Sequence, residues 1–110
     1  MTTLTTMAIL LAAALLEAGG DALVRKGLHA SAFMRAAFLA AGTVVLFAYG
    51  CTVNTPSWDF GRLLGIYVVF FFIVAQLIGW LAFGQIPSMR ILAGGACIVI
   101  GGVIISWSQI

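Results

Sequence analysis

Four apolar stretches, each long enough to cross a lipid bilayer, account for most of the sequence and constrain its fold more than any other feature. A membrane-spanning helix needs about 20 predominantly apolar residues, and stretches of about this length occupy positions 4–24, 33–53, 63–83 and 91–107. The stretches are continuous and do not alternate in polarity, which favours helices over the strands of a membrane barrel. We therefore predict an all-α integral membrane bundle of four transmembrane helices, forming a single domain over residues 1–110.

The composition excludes a water-soluble fold and several classes of function. Hydrophobic residues make up 64% of the chain and charged residues 7%, against about 45–50% and about 25% in soluble domains. The formal net charge of +2 is too small for a nucleic-acid partner. The sequence shows neither a Cys/His cluster with metal-ligand spacing nor a nucleophile with an acid/base partner. We expect a lipid bilayer as the environment, no nucleic acid, no metal or other cofactor, and no enzymatic activity.

The basic residues predict an orientation in the membrane. The segments after the first and third spans carry four of them, whereas the segment after the second span carries only Arg62. The four are Arg25, Lys26, Arg35 and Arg90. Because cytoplasmic loops are enriched in Lys and Arg, both termini are predicted on the non-cytoplasmic side. The start of the chain lacks the basic segment of a signal peptide, which favours a first transmembrane span over a cleaved leader.

An acidic residue, Glu17, lies deep within the first span. It follows Leu4 by thirteen residues and precedes Arg25 by eight, which at about 1.5 Å per residue places it roughly 20 Å and 12 Å from these positions. A charge at the centre of a spanning helix costs at least about 2.5–3.5 kcal/mol, so Glu17 must face other helices, a cation or a water-filled cavity. This position favours a proton-binding or substrate-binding role.

Asp21 and Arg25 follow Glu17 at successive spacings of four and share its helical stripe. The spacing predicts an ion pair between Asp21 and Arg25 near the membrane surface. All three residues also fit a buried polar seam that sets helix register. We favour this structural role for Asp21 and keep it as a second candidate binding residue.

Two polar side chains of the third span are further candidates for the same site. Gln76 shares a stripe with Phe72 and Phe83, and either forms an interhelical hydrogen bond, worth about 0.6 kcal/mol on average, or faces Glu17. Tyr67 lies one turn inside the span and is either an interfacial aromatic residue or a phenol directed at the site.

The fourth span contains two interleaved glycine pairs, each with a spacing of seven. Gly94 pairs with Gly101 and Gly95 with Gly102, and small residues at this spacing form a seam for close helix packing. We interpret the seam as a contact between subunits, with packing inside one subunit as the alternative. Because four short helices rarely enclose a polar cavity unaided, we expect a homo-oligomer or a membrane partner subunit.

These features resemble the small multidrug resistance family, the four-helix branch of the drug/metabolite transporter superfamily. Glu17 falls where that family has a membrane-embedded glutamate, Arg25 matches a basic residue that ends its first helix, and segment 79–85 resembles the end of its third helix. Gly94 with Gly101 matches its glycine heptad at the dimer contact of helix four. The resemblance implies a homodimer in which Glu17 binds protons and cationic substrate competitively.

The sequence departs from the family pattern at three points. Tyr67 stands where the family has a substrate-facing Trp, and Asp21 stands where it has a neutral residue. The excess of basic residues on one side differs from the near-equal charge of members that assemble as antiparallel homodimers.

The resulting hypothesis is a secondary transporter of the bacterial inner membrane that exports a cationic or amphipathic small solute in exchange for protons at Glu17. Two alternatives remain open. One is a lipid-linked carrier or flippase of the same superfamily, and the other is a non-transporting membrane subunit of a larger complex.

Overall fold

The computed structural model describes residues 1–107, and within this range the chain folds into four helices joined by short connections. Each helix is long and apolar enough to cross a membrane, and residues 1–107 contain no strand. The helices are α1 (Thr3–Leu28), α2 (Ala32–Val53), α3 (Phe60–Phe83) and α4 (Met89–Ser106). The predicted all-α membrane bundle is confirmed, and the chain is a multi-pass membrane protein.

Helix boundaries extend beyond the predicted apolar limits at several ends. Helix α1 continues to Leu28, because Arg25 and Lys26 are good helix formers and do not interrupt it. Helix α3 begins at Phe60 and therefore includes Arg62, although the sequence predicts Arg62 in the loop before this helix. Helix α4 ends at Ser106, one residue before the predicted limit.

The end of α3 depends on Gly84. This residue has φ 66° and ψ 21°, in the left-handed region, where a residue with a Cβ is strained. Its N–H donates to the Trp80 carbonyl, and the N–H of Gln85 donates to the Gly79 carbonyl, both at 3.0 Å. These bonds satisfy carbonyls that the end of a helix leaves unpaired.

The helices lie side by side in the spatial order α2, α1, α3, α4. Helix α1 packs against α2 and α3, whereas α4 packs closely only against α3 within the described residues. The bundle is flat, with extents of 50 × 33 × 19 Å. Helix α1, which carries Glu17 and Asp21, is therefore flanked on both sides.

Glycines let α1 and α2 approach each other closely as an antiparallel pair. Gly20 faces the side chain of Leu46, Gly42 faces Val24, and Gly27 faces Leu39. A Cβ built on Gly42 would lie 2.7 Å from Cγ2 of Val24 and 3.2 Å from the Gly20 carbonyl oxygen. These contacts give the two helices one consistent register along their length.

The glycines of α4 do not form a single seam, which corrects the prediction. Gly95 contacts the ring of Phe72 and Gly102 contacts Val69, both on α3. Gly94 and Gly101 have no atom of the described chain within 4 Å of a Cβ built on them. Successive residues are about 100° apart around a helix, so one pair packs within the subunit and the other faces outward.

Large apolar side chains cover the outside of the bundle. Val44, Phe47, Leu81 and Ile104 are each more than half exposed. In water such a surface would be unfavourable, but lipid tails are as apolar as these side chains. This distribution agrees with a bundle surrounded by hydrocarbon.

The basic residues lie at the two ends of the bundle as the helix directions require. Arg25 and Lys26 sit over the ring of Phe83 at one end, 5.3 Å and 5.7 Å from its centroid. At the other end the Arg62 guanidinium lies 4.5 Å from the Trp58 ring centroid and donates from Nη2 to the Ser106 carbonyl, 3.3 Å away. Arg62 thus caps the electronegative C-terminus of α4.

Candidate functional site

Glu17 and Tyr67 form a hydrogen-bonded pair between α1 and α3. The phenolic Oη of Tyr67 donates to Oε1 of Glu17 over 2.7 Å. Tyr67 is only 4% exposed and Glu17 is partly buried. Of the two sequence interpretations of Tyr67, the geometry agrees with a phenol directed at the site.

Tyr49 of α2 is the third member of this cluster, and the sequence pattern does not predict it. Its ring centroid lies 5.8 Å from that of Tyr67. The position follows from the α1–α2 register, in which Gly20 contacts Leu46. The two helices are antiparallel, so Glu17, three residues before Gly20, lies level with Tyr49, three residues after Leu46. A sequence signal exists, since Tyr49 is one of only two tyrosines, but the register was needed to use it.

The surroundings of the pair are small and apolar on α1 and aromatic on α3. Ala13, Ala14 and Ala18 are buried beside Glu17, and the ring of Phe71 lies 6.2 Å from that of Tyr67. Within residues 1–107 no cation forms an ion pair with Glu17, and the Tyr67 phenol donates a hydrogen bond to it. We define Glu17, Tyr67 and Tyr49 as the carboxylate–phenol cluster.

The predicted ion pair between Asp21 and Arg25 is not formed. The Arg25 guanidinium covers the Phe83 ring instead, and the described residues contain no partner for the Asp21 carboxylate. The spacing of four permits the pair, but an aromatic face at the end of α3 competes for the cation. Asp21 is exposed and lines a cavity of about 240 Å³ between α1 and α3.

Gln76 lies on the side of α3 that faces α4, away from Glu17. It follows Phe72 by four residues and Val69 by seven, and these two side chains contact the α4 glycines. It is nine residues from Tyr67, which is two and a half helical turns and therefore the opposite face. Gln76 does not join the cluster, and the described chain provides no hydrogen-bond partner for it.

The described residues contain no group of three or more His, Cys, Asp and Glu side chains able to hold a metal ion. The cluster has one carboxylate, two phenols and aromatic faces. This set can bind a proton or an organic cation, since a carboxylate accepts either one and aromatic faces attract cations.

No family model, no curated protein and no solved structure matches this chain. Its functional interpretation therefore depends on its own geometry: a multi-pass membrane protein with four helices in which α1, α2 and α3 meet at a carboxylate–phenol cluster.

Proposed function

We propose that this protein is a secondary transporter of the small multidrug resistance type, which exports a cationic or amphipathic small solute across the bacterial inner membrane in exchange for protons. The observation that carries the proposal is the hydrogen bond from Tyr67 to Glu17. An acid within a transmembrane helix is by default a functional residue. Here it is held by a phenol of another helix and has no paired cation in residues 1–107.

The coupling follows from the chemistry of a single carboxylate. Glu17 holds either a proton or a cationic group, because one negative charge balances only one of them. In the absence of a cation, the Tyr67 hydroxyl donates to one oxygen of Glu17, and the carboxyl group can hold a proton at the same time because it has two oxygens. The rings of Tyr67, Tyr49 and Phe71 then offer apolar and cation–π contacts to an organic cation.

The outward side of α4 supports assembly into a homo-oligomer. Gly94 and Gly101 leave an open strip there, and small residues allow helices of two subunits to approach closely. A second copy would also shield Glu17 on the side that its own helices leave open. Alternating access then requires the bundles to rock around the bound solute.

Proton release upon cation binding tests the proposal directly. The purified protein in maltoside micelles is mixed with organic cations ranging from guanidinium to tetraphenylphosphonium, and proton release is followed with a pH indicator. The wild type is expected to release protons in proportion to bound cation, whereas Glu17→Gln releases none. Asp59→Asn is the matched control, because Asp59 is an exposed acid that makes no side-chain capping bond.

Transport is measured in proteoliposomes with an imposed pH gradient. Glu17→Gln is expected to reduce cation flux to the level of protein-free vesicles, with helical content unchanged by circular dichroism. Undiminished flux in Glu17→Gln would refute the proposal. Reporter tags at the C-terminus, mapped in cells, test the predicted single orientation with both termini outside the cytoplasm.

The open strip on α4 also favours a second candidate, a non-transporting membrane subunit of a larger complex. In this case the strip binds an unrelated membrane protein. Purification in mild detergent would then yield a stable heteromeric complex. Glu17→Gln would disrupt that complex, and neither this variant nor the wild type would transport cations.

A further inference from the structure

A cavity beside the carboxylate–phenol cluster is lined, apart from Phe71, by residues that the proposed transport mechanism does not use. It lies between α1 and α3 and has a volume of about 240 Å³. Small side chains of both helices, Ala18, Ala22, Ala75 and Gly79, make room for it. Asp21 also lines the cavity. It lies one helical turn beyond Glu17, toward the end of α1 that carries Arg25 and Lys26.

The cavity wall carries one negative and one positive group that do not neutralise each other. Asp21 and Arg25 both line it, yet no ion pair joins them within residues 1–107. The Arg25 guanidinium carbon lies over the Phe83 ring, 5.3 Å from its centroid. Because the guanidinium has five N–H donors and makes no hydrogen bond or ion pair within residues 1–107, donors remain available to an anion.

The remaining lining is suited to a short hydrocarbon chain. Phe71 and Ile78 provide apolar contacts, and Gln85 adds an amide. The volume of about 240 Å³ is below the roughly 300–1,000 Å³ of sites for drug-sized ligands. The ligand must therefore be smaller than a typical drug-sized molecule.

We propose that this cavity binds a small zwitterion, with an ammonium group at Asp21, a carboxylate or other anionic group at Arg25, and a short apolar chain between them. This site goes beyond the proposed exchange at Glu17 and does not depend on it. A simple organic cation would satisfy Asp21 but would also face the positive charge of Arg25. A simple anion would bind Arg25 but would be repelled by the negative charge of Asp21.

The order of the two charges along α1 favours a free solute over a lipid headgroup. Four residues separate Asp21 from Arg25, which is about 6 Å along the helix, and Asp21 is the deeper of the two. In an ethanolamine lipid the phosphate lies nearer the hydrocarbon and the ammonium lies farther out. The cavity has the opposite order, so a solute enters with its ammonium group first.

Three ligands with the same four-carbon chain test the proposal on the unmodified protein. Binding of 4-aminobutyrate, butylamine and butyrate is measured by saturation-transfer NMR in maltoside micelles free of zwitterionic lipid. We expect 4-aminobutyrate to bind at least about tenfold more tightly than either singly charged analogue, because it alone makes both charge-assisted contacts. Equal binding of butylamine or butyrate, or no binding of 4-aminobutyrate, would overturn the proposal.

Two substitutions locate the site. Asp21→Asn and Arg25→Gln are each expected to weaken 4-aminobutyrate binding by about tenfold or more. Arg35→Gln is the matched control, because Arg35 is an exposed cation near the start of α2 that does not line the cavity. Unchanged binding in both cavity variants would refute the assignment.

A competition experiment with lipid distinguishes a free zwitterionic solute from a lipid headgroup as the occupant of the cavity. Phosphatidylethanolamine is added to the micelles while bound 4-aminobutyrate is monitored. We expect no displacement at equimolar lipid and solute. Displacement would show that a headgroup occupies the cavity and would overturn the assignment to a free solute.

Discussion

The Tyr67 hydroxyl of α3 lies 2.7 Å from Oε1 of Glu17 on α1, so the deepest acid of the chain has a partner fifty residues away. The bond fixes the rotation of both helices, because the two side chains must point toward each other. It also brings aromatic rings around a carboxylate in the apolar interior of the bundle. Every functional interpretation of this protein must account for that pair.

A double-mutant cycle will measure the energy of this bond. Tyr67→Phe removes the hydroxyl and keeps the ring contacts with Tyr49 and Phe71, while Glu17→Ala removes the acceptor. We expect a coupling energy of about 1–3 kcal/mol, the range from a neutral hydrogen bond to one with a charged group. The measurement is equilibrium unfolding of each variant in mixed micelles.

Gln76 provides the control for the cycle. Because Gln76 faces α4 and not Glu17, pairing Gln76→Leu with Glu17→Ala is expected to give additive effects within about 0.5 kcal/mol. A coupling between Gln76 and Glu17 as large as that with Tyr67 would contradict the described arrangement of α3.

The α1–α2 contact is expected to be sensitive to Gly42. A Cβ at this position would lie 3.2 Å from the Gly20 carbonyl oxygen and 3.3 Å from the Val24 backbone nitrogen, and backbone atoms cannot rotate away. Gly42→Ala is expected to destabilise the protein by about 1–3 kcal/mol through overpacking. Thermal unfolding in detergent measures the effect.

Gly19→Ala is the matched substitution at an open position. Among the described residues, no atom of another helix lies within 4 Å of a Cβ at Gly19, so the higher helix propensity of alanine is expected to leave stability equal or raise it by up to about 1 kcal/mol. A loss of stability similar to that of Gly42→Ala would show that the two helices do not pack in the described register.

The turn after α3 requires glycine at position 84. With φ at 66°, Gly84→Ala places a Cβ in the left-handed region and is expected to cost about 1–2 kcal/mol. Gly61→Ala, in the first turn of α3 and open on all sides within the described chain, is expected to be neutral or slightly stabilising. Hydrogen exchange of the Gln85 amide, which bonds to Gly79, reports the loss of the cap in the Gly84 variant.

The two glycine pairs of α4 are expected to respond differently to substitution. Gly102→Leu clashes with Val69 on α3 and should destabilise the single subunit, by about 1–3 kcal/mol for overpacking. A Cβ at Gly101 would contact no neighbouring helix among the described residues, so Gly101→Leu should leave the subunit stable while weakening self-association. Unfolding and analytical ultracentrifugation in detergent separate the two effects, and unchanged association in Gly101→Leu would argue against an α4 contact between subunits.

The sequence predicts Glu17 as a site residue, but the partners of Glu17 depend on the register of α1 with α2 and α3, which the sequence does not show. Glu17 was identified from its depth alone, because the cost of a charge in hydrocarbon depends on distance along one helix. The sequence does not point to Tyr49, because its proximity depends on which face of α2 meets α1. For the same reason the two interpretations of Gln76 stay open in the sequence, since a uniformly apolar helix has no polar face to mark its rotation.

The sequence by itself determined that the chain crosses a bilayer four times, where each crossing begins and ends to within a few residues, and which acid lies deepest. These properties are local sums of hydrophobicity over about 20 residues. Only the tertiary structure decided the partners: Tyr67 for Glu17, Phe83 for Arg25, and α3 for one glycine pair of α4. The reason is that lipid is as apolar as the protein interior, so hydrophobic patterning does not select the faces that meet, and close steric fit and a few polar contacts select them instead.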